Sequence, residues 1–338
     1  MKIIIPMAGW GTRLRPHTLT VPKPLIKVAG KSVVQRLVET IVDSLDRPAT
    51  DVVFVIKPAF GQAVENELLD TAARLGLNGH IRYQKEALGT AHAIYMARDF
   101  LDGPVFVAYA DTLFDGQIPL DPEADSVIVV KQVDNPEQFG VVQLDDEGYI
   151  RRFVEKPKSF VSDLAIVGIY YFKEGGILKK EIEYLMDNGI MRGGEYQLTD
   201  ALENMLRQGL KFKPAGIREW MDFGNYRAAV DTTRTVLTLE QQKGRPLVSD
   251  RAVIRDSKII EPCYIGPDVV IEDSTVGPYV SIEDGTHILR SEIAGSLIGR
   301  DNHIEDSQFS GSMIGNHTHL AGLDNTASLG DYARIEND

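Results

Sequence analysis

Along the first two-thirds of the chain, apolar positions follow two alternating patterns. Lys2–Pro6, Val52–Ile56 and Val105–Tyr109 are short, nearly unbroken apolar runs. Runs without polar alternation predict strands buried on both faces. Between them the apolar positions take a helical spacing, at Val34, Leu37, Val38, Ile41, Val42 and Leu45, then at Phe60, Val64, Leu68 and Leu75. Strands separated by amphipathic helices predict a Rossmann-like, doubly wound α/β sheet with helices on both faces. Val127–Val130, Val141–Leu144 and Ala165–Phe172 add further strands and make it a mixed sheet. A last helical stripe runs from Tyr226 to Gln242, and Gly244 and Pro246 stop it.

From Val248 the pattern changes. Single aliphatic residues recur every five or six positions, from Ile265 through Ile271, Val276, Ile282, Ile288, Ile293 and Ile298 to Leu320. Glycine follows several of them, and the Ile265-Gly266 to Ser274 segment returns at Ile298-Gly299 to Ser307. Such a degraded hexad predicts a left-handed parallel β-helix, with each aliphatic pointing inward and stacking on its equivalent in the next coil. The expected organisation is a catalytic-type domain over 1–235, a helical linker over 236–247 and a β-helix over 248–338.

Composition narrows the function classes. A chain of 338 residues with 43% apolar and 25% charged residues has ordinary globular content. Its 36 basic and 49 acidic residues give a net charge of −13, which argues against a nucleic-acid binder. Cys263 is the sole cysteine, so no internal disulfide and no cysteine-based zinc site is possible. The N-terminal apolar run is too short for a signal peptide, and no run of ~18 apolar residues spans a membrane. A cytoplasmic location is the expectation.

Candidate chemistry begins after the first strand, in Pro6-Met7-Ala8-Gly9-Trp10-Gly11-Thr12-Arg13-Leu14-Arg15-Pro16 and Pro22-Lys23-Pro24-Leu25. A dinucleotide fingerprint from Gly9 and Gly11 fails because Leu14 stands at the third glycine position. A Walker motif ending in Gly30-Lys31-Ser32 fails at Leu25. The segment still suits a polyphosphate. Gly9 and Gly11 permit close backbone approach, Arg13 offers a bidentate fork and Lys23 a point charge.

This stretch resembles the signature of sugar-1-phosphate nucleotidyltransferases (NDP-sugar pyrophosphorylases), and further motifs follow in that family's order. They are Gln84 with Leu88-Gly89-Thr90-Ala91-His92, Tyr109-Ala110-Asp111, Phe139-Gly140-Val141, Val154-Glu155-Lys156-Pro157, Gly194-Glu195-Tyr196 and Trp220-Met221-Asp222. The resemblance implies nucleotide contacts from Ala8, Gly9, Gly11, Thr12, Gln84, Gly89 and Thr90. It implies catalytic roles for Arg13 and Lys23, Mg²⁺ on Asp111 and Asp222, and sugar-phosphate contacts from Gly140, Glu155, Lys156 and Glu195. The implied substrates are a nucleoside triphosphate and a sugar-1-phosphate, with glucose-1-phosphate and dTTP or UTP favoured. Guanylyl transfer to mannose-1-phosphate is the alternative. Trp10, Lys27, Ser32, Phe223 and Asn225 depart from the family pattern, at positions that carry no catalytic charge.

Duller readings stand beside these. His17 and His92 are expected to be structural, Trp220 a core anchor and Cys263 a small buried apolar residue. A non-catalytic binding subunit of the same fold is the competing class. An acyltransferase tail is disfavoured because His287 and His303 have no recognisable partner motif. The β-helix is expected to serve oligomerisation or regulation.

Overall fold

The buried apolar runs of the N-terminal half become the centre of one sheet. A computed structural model describes residues 1–45 and 47–336. Among these residues the sheet has nine strands: β1 (Lys2–Pro6), β2 (Asp51–Ile56), β3 (Asn78–Tyr83), β4 (Val105–Ala108), β5 (Ser126–Gln132), β6 (Gly140–Leu144), β7 (Ile150–Glu155), β8 (Leu164–Phe172) and β9 (Phe212–Gly216). The main order is β7-β6-β8-β4-β1-β2-β3, and β5 pairs with β8 and β9. β1 runs parallel to β2 and β4, and β2 runs parallel to β3. β8 is antiparallel to β4, β5 and β6, so the sheet is mixed, as expected.

The helices are α1 (Val33–Asp43), α2 (Gly61–Arg74), α3 (Thr90–Tyr95), α4 (Gly175–Asp187), α5 (Leu198–Arg207) and α6 (Tyr226–Gln242). Of these, α1, α2 and α6 follow the periodic stripes, and α3, α4 and α5 were not marked by one. Ile3, Ile4, Ile5 and Val52 to Ile56 are fully buried, as strands covered on both faces require. Asn225 caps α6 by accepting a 3.1 Å hydrogen bond from the Ala228 amide. The residues expected as a helical linker are the end of α6 and the turn after it, with Val236, Leu237 and Glu240 buried.

After α6 the chain winds through three stacked parallel sheets of six, four and five short strands. One inward column is Ile271, Ile288, Ile304 and Leu320. The others are Val276, Ile293 and Phe309, and Ile265, Ile282, Ile298 and Ile314. All are buried, so the hexad reading of one aliphatic per face describes the core of the coil. Asp268, Asp273, Arg290, Asp301 and Asp306 sit at positive φ at the corners, a conformation Asp tolerates better than most non-glycine residues.

Two compact units result, and both are discontinuous in sequence. The first comprises Met1–Gly9 and Leu37–Trp220. The second joins Trp10–Arg36 to the chain from Met221 onward. Past Gly9, the cation-rich part of the segment after β1, from Trp10 to Arg36, therefore belongs to the β-helical unit.

Candidate active site

In the first unit the chain moves outward from β1 to β3 and then returns to β4 on β1's other side. The carboxyl ends of β1 and β4 thus flank a topological switch point, where open α/β sheets bind ligands. Ala8 is buried just beyond β1, and a Cβ on Gly9 would meet no atom within 4 Å. Past β4, the Tyr109 amide bonds to Gly168 O at 3.0 Å and Asp111 follows at the strand end. The Tyr109 ring lies where a Cβ on Gly168 would be, only 2.9 Å from Cδ2. Gly168 sits at φ 93° where the β5–β8 register shifts, so this glycine makes room for the ring. Burial pushes the Tyr109 phenol well above its ordinary range.

Gln84 follows β3 and is buried. Its amide nitrogen meets Gly89 O and His92 Nδ1, both at 3.1 Å. Both amide protons are engaged in folding the 84–92 turn, which leaves the carbonyl oxygen to meet a ligand. Burial lowers the His92 pKa, consistent with a neutral ring accepting at Nδ1 and with the structural role expected for it. Gly89 has φ 103° and lies against the Tyr196 backbone. The Tyr196 amide donates to Leu88 O at 2.8 Å, Ala91 N donates to Tyr196 O at 3.0 Å, and Leu198 N donates to Thr90 Oγ1 at 3.1 Å. Gln84, Gly89, Thr90 and the segment carrying Glu195 are therefore joined in one hydrogen-bonded assembly.

Glu195 is exposed, and its Oε2 accepts from Gln197 Nε2 at 3.0 Å. Its backbone closes a two-way bridge with Arg192, whose guanidinium pairs with the buried Asp200 at 2.6 Å. Arg192 and Asp200 were not singled out from sequence.

Gly140 lies opposite Glu155 in the β6–β7 register, and a Cβ there would fall 2.9 Å from Glu155 Oε2. Lys156 is exposed and holds φ 42°, a left-handed conformation unusual for lysine. Its amide is fixed to Phe139 O at 3.0 Å. Trp220 is half-buried and packs edge-on against Phe139, with ring centroids 5.0 Å apart.

In the second unit Gly11 takes φ 61°, and a Cβ there would be 2.9 Å from Lys23 Cβ. Thr18 Oγ1 donates to Gly11 O at 2.9 Å. This packing brings the segment carrying Thr12 and Arg13, both exposed, beside the buried Lys23. His17 is buried and bonds to Ser328 Oγ at 3.0 Å, and burial pushes its pKa down to about 4. Asp222 is exposed, and its carboxylate folds over Gly224, where a Cβ would fall 2.9 and 3.0 Å from its two oxygens. Thr232 Oγ1 donates to Asp222 O at 2.7 Å and ties it to α6. Phe223 is fully buried.

A family model described as nucleotidyl transferase matches residues 2–238. The chain belongs to this family. Among its relatives, the bifunctional protein GlmU of Methanocaldococcus jannaschii is 31% identical over 77% of this chain and 60% of that one. The glucose-1-phosphate thymidylyltransferase of Streptomyces antibioticus is 30% identical over 79% of this chain and 78% of its own. The mannose-1-phosphate guanylyltransferase catalytic subunit beta of Danio rerio is 37% identical over 51% of this chain and 49% of its own. The match to the first of these relatives thus spans about 60% of that protein's length. A solved nucleoside-diphosphate-sugar pyrophosphorylase from Vibrio cholerae shares the fold, with a TM-score of 0.59, 19% identity, and coverage of 68% of this chain and 98% of that one. Like the family's fold, this nucleotidyl transferase has a mixed α/β core, and no helix among its described residues is long and apolar enough to cross a membrane.

Proposed function

We propose that this nucleotidyl transferase joins a sugar-1-phosphate to a nucleoside triphosphate, releasing pyrophosphate and forming an NDP-sugar. The observation that carries the reading is the hydrogen-bonded assembly of the Gln84–Ala91 turn with the Glu195–Leu198 segment. It would give one platform with an edge for the base and an edge for the sugar, as a two-substrate condensation needs. A sugar-phosphate oxygen attacks the α-phosphorus in line, and pyrophosphate leaves. The nucleophile is already an anion, so the work is positioning and charge neutralisation.

Arg13 would steady the β- and γ-phosphates and Lys23 the α-phosphate. Ala8, Gly9, Gly11 and Thr12 would offer backbone and hydroxyl donors to the triphosphate. Gln84, Gly89 and Thr90 would meet the base. Gly140, Glu155, Lys156 and Glu195 would hold the sugar phosphate, with Lys156 at the phosphate and Glu195 accepting sugar hydroxyls. Asp111 and Asp222 would each offer a carboxylate to a Mg²⁺ ion. Both are carboxylates suited to a hard cation. Phosphate oxygens of the substrates would complete the ion's shell, since the described residues hold no group of three or more His, Cys, Asp or Glu able to bind a metal. When bound, the ion would supply charge neutralisation on the phosphates.

Glucose-1-phosphate with dTTP or UTP is the favoured pair, supported by similarity to the Streptomyces antibioticus enzyme over most of both chains. Guanylyl transfer to mannose-1-phosphate is the second reading, supported by the higher identity to the Danio rerio subunit over half of this chain. The test crosses dTTP, UTP, GTP, CTP and ATP with the 1-phosphates of glucose, mannose, galactose and N-acetylglucosamine. Pyrophosphate release is followed through a pyrophosphatase. A signal that requires both substrates is expected, and Asp111→Asn or Lys23→Ala should lower it by about 10²-fold or more. Near wild-type rates in either variant would overturn the assignment, and silence across the matrix would favour a binding subunit.

A further inference from the structure

The turn Ala29–Gly30 joins two short paired strands, Lys27–Val28 and Lys31–Ser32. It lies six residues beyond Lys23 and closes the cation-rich segment. Side chains clamp its backbone from two sides. Arg36, in the first turn of α1, donates Nε to Val28 O and Nη2 to Ala29 O, each at 2.8 Å, while its Nη1 meets Glu240 of α6 at 3.2 Å. The β-helix provides the other jaw. Ser281 Oγ accepts from the Ala29 amide at 2.9 Å, and Glu283 Oε1 accepts from the Gly30 amide at 3.1 Å. The Tyr264 ring stands where any Cβ on Gly30 would be.

Glu283 is unusual among the side chains of this contact. It is only 3% exposed, and its second carboxylate oxygen, Oε2, is buried with no hydrogen-bond partner among the described residues. A carboxylate held this way carries a desolvation penalty that a glutamine or an apolar residue would avoid. On the other side of Lys23 in the chain, His17, Thr20 and Pro16 meet Ser328, Asp331 and Gly330, so a second coil grips the same segment.

We propose that Glu283 is a positioning residue of the nucleotidyl transfer reaction: by holding the Gly30 amide it fixes the turn behind Lys23 and so sets the affinity for the nucleoside triphosphate. The inference rests on the function proposed above, since it assigns the triphosphate to this segment. It makes the tail a working part of the nucleotide site.

Burial raises the Glu283 pKa from 4.5 to about 7, against the hydrogen bond from Gly30. The charged groups around it are Lys27, Arg36 and Asp284, and the Tyr264 phenol beside it is pushed above its ordinary range by burial. Glu283 therefore changes charge near neutrality. As the anion it holds the Gly30 N–H more tightly than as the acid.

The test uses the full chain and its Glu283→Gln, Glu283→Ala and Ser281→Ala variants. Nucleotide affinity is measured with dTTP or the nucleotide that the substrate matrix selects, by direct titration without sugar phosphate and as KM at saturating sugar phosphate, from pH 5.5 to 8.5. Loss of one charge-assisted hydrogen bond should weaken nucleotide affinity about tenfold in Glu283→Ala at pH 8. The sugar-phosphate KM should stay within about twofold. Wild-type affinity should rise through pH 7, and Glu283→Gln should lose that rise. The nucleotide's own titration is common to both proteins and cancels in their ratio. Ser281→Ala removes a 3.4 Å hydrogen bond to Glu283 Oε1 but keeps the carboxylate and its bond to Gly30, so it should keep the rise, shifted toward higher pH.

Equal loss of both KM values and of kcat would mark a merely structural role and overturn the proposal. Unchanged nucleotide affinity in a folded Glu283→Ala would do the same. If Glu283→Ala does not fold, the pH profiles of Glu283→Gln and Ser281→Ala decide. A wild-type protein that binds no nucleotide would instead fail the proposed function, a result distinct from these.

Discussion

Alanine at position 89 should separate two costs that glycine avoids. Gly89 sits at φ 103°, where an L-residue is strained by about 1–3 kcal/mol. Its added Cβ would also fall 2.5 Å from Tyr196 O, 2.8 Å from Tyr196 N and 2.9 Å from Glu195 Cβ. Two of these neighbours are backbone atoms, so no rotamer change relieves them. The segment must move, at an overpacking cost of about 1–3 kcal/mol. Moving it stretches the bonds from Tyr196 N to Leu88 O and from Ala91 N to Tyr196 O. The sum is roughly 2–6 kcal/mol. Gly61 supplies the control, with φ 80° but no atom within 4 Å of its would-be Cβ, so Gly61→Ala carries strain alone. In urea unfolding, with a slope near the upper end of ~1–3 kcal/mol per molar, Gly89→Ala should lower the midpoint by about 1 M or more. Gly61→Ala, which carries the strain alone, should lower it by about half of that. The displaced Glu195 should also cost turnover in Gly89→Ala only. Equal midpoints for the two variants would refute the steric argument.

Other outcomes follow from buried charge. Carrying the Glu283 anion should cost the folded state roughly 3 kcal/mol above pH 7, since tenfold in proton affinity is about 1.4 kcal/mol. Its raised pKa means that stability falls as pH rises from 4.5 to about 7, so Glu283→Gln should melt higher than wild type at pH 8 and equally at pH 4.5. His17 acts with the opposite sign. Its neutral ring is buried, so stability present above pH 6.5 should be lost toward pH 4, by roughly 3 kcal/mol, and His17→Gln should flatten that limb of the melting profile. Arg36→Met strips hydrogen bonds from Val28 O, Ala29 O and Glu240, which Arg245 still holds at 3.0 Å, and should cost about 2–4 kcal/mol in equilibrium unfolding.

Local patterns made much of the fold legible. The helical stripe from Tyr226 to Gln242 is α6, and each inward hexad position from Ile265 to Leu320 is buried in the coil. These patterns record which face of an element meets the core, which periodicity reports directly. Gly11 was visible as a phosphate-loop glycine, yet its positive φ and its contact with Lys23 depend on packing between residues twelve apart. Arg192, Asp200, Ser281 and Glu283 were invisible because each works through one long-range contact, and a single polar residue leaves no period. The departures at Phe223 and Asn225 gained reasons only with coordinates: Phe223 fills the core and Asn225 caps a helix. The discontinuous units escaped for the same cause, since no composition shift marks Trp10–Arg36 as a partner of the tail.

That partnership imposes an order on synthesis. The bonds from His17 to Ser328 and from Thr20 to Asp331 each join residues 311 apart. At roughly 5–20 residues per second a ribosome needs about fifteen to sixty seconds to make the intervening chain. Throughout that interval the strands of the sheet can pair, but Trp10–Arg36 has no coil to dock on. The nascent protein therefore holds a nearly complete sheet beside an unfinished loop, and its second unit closes only when the last coils emerge.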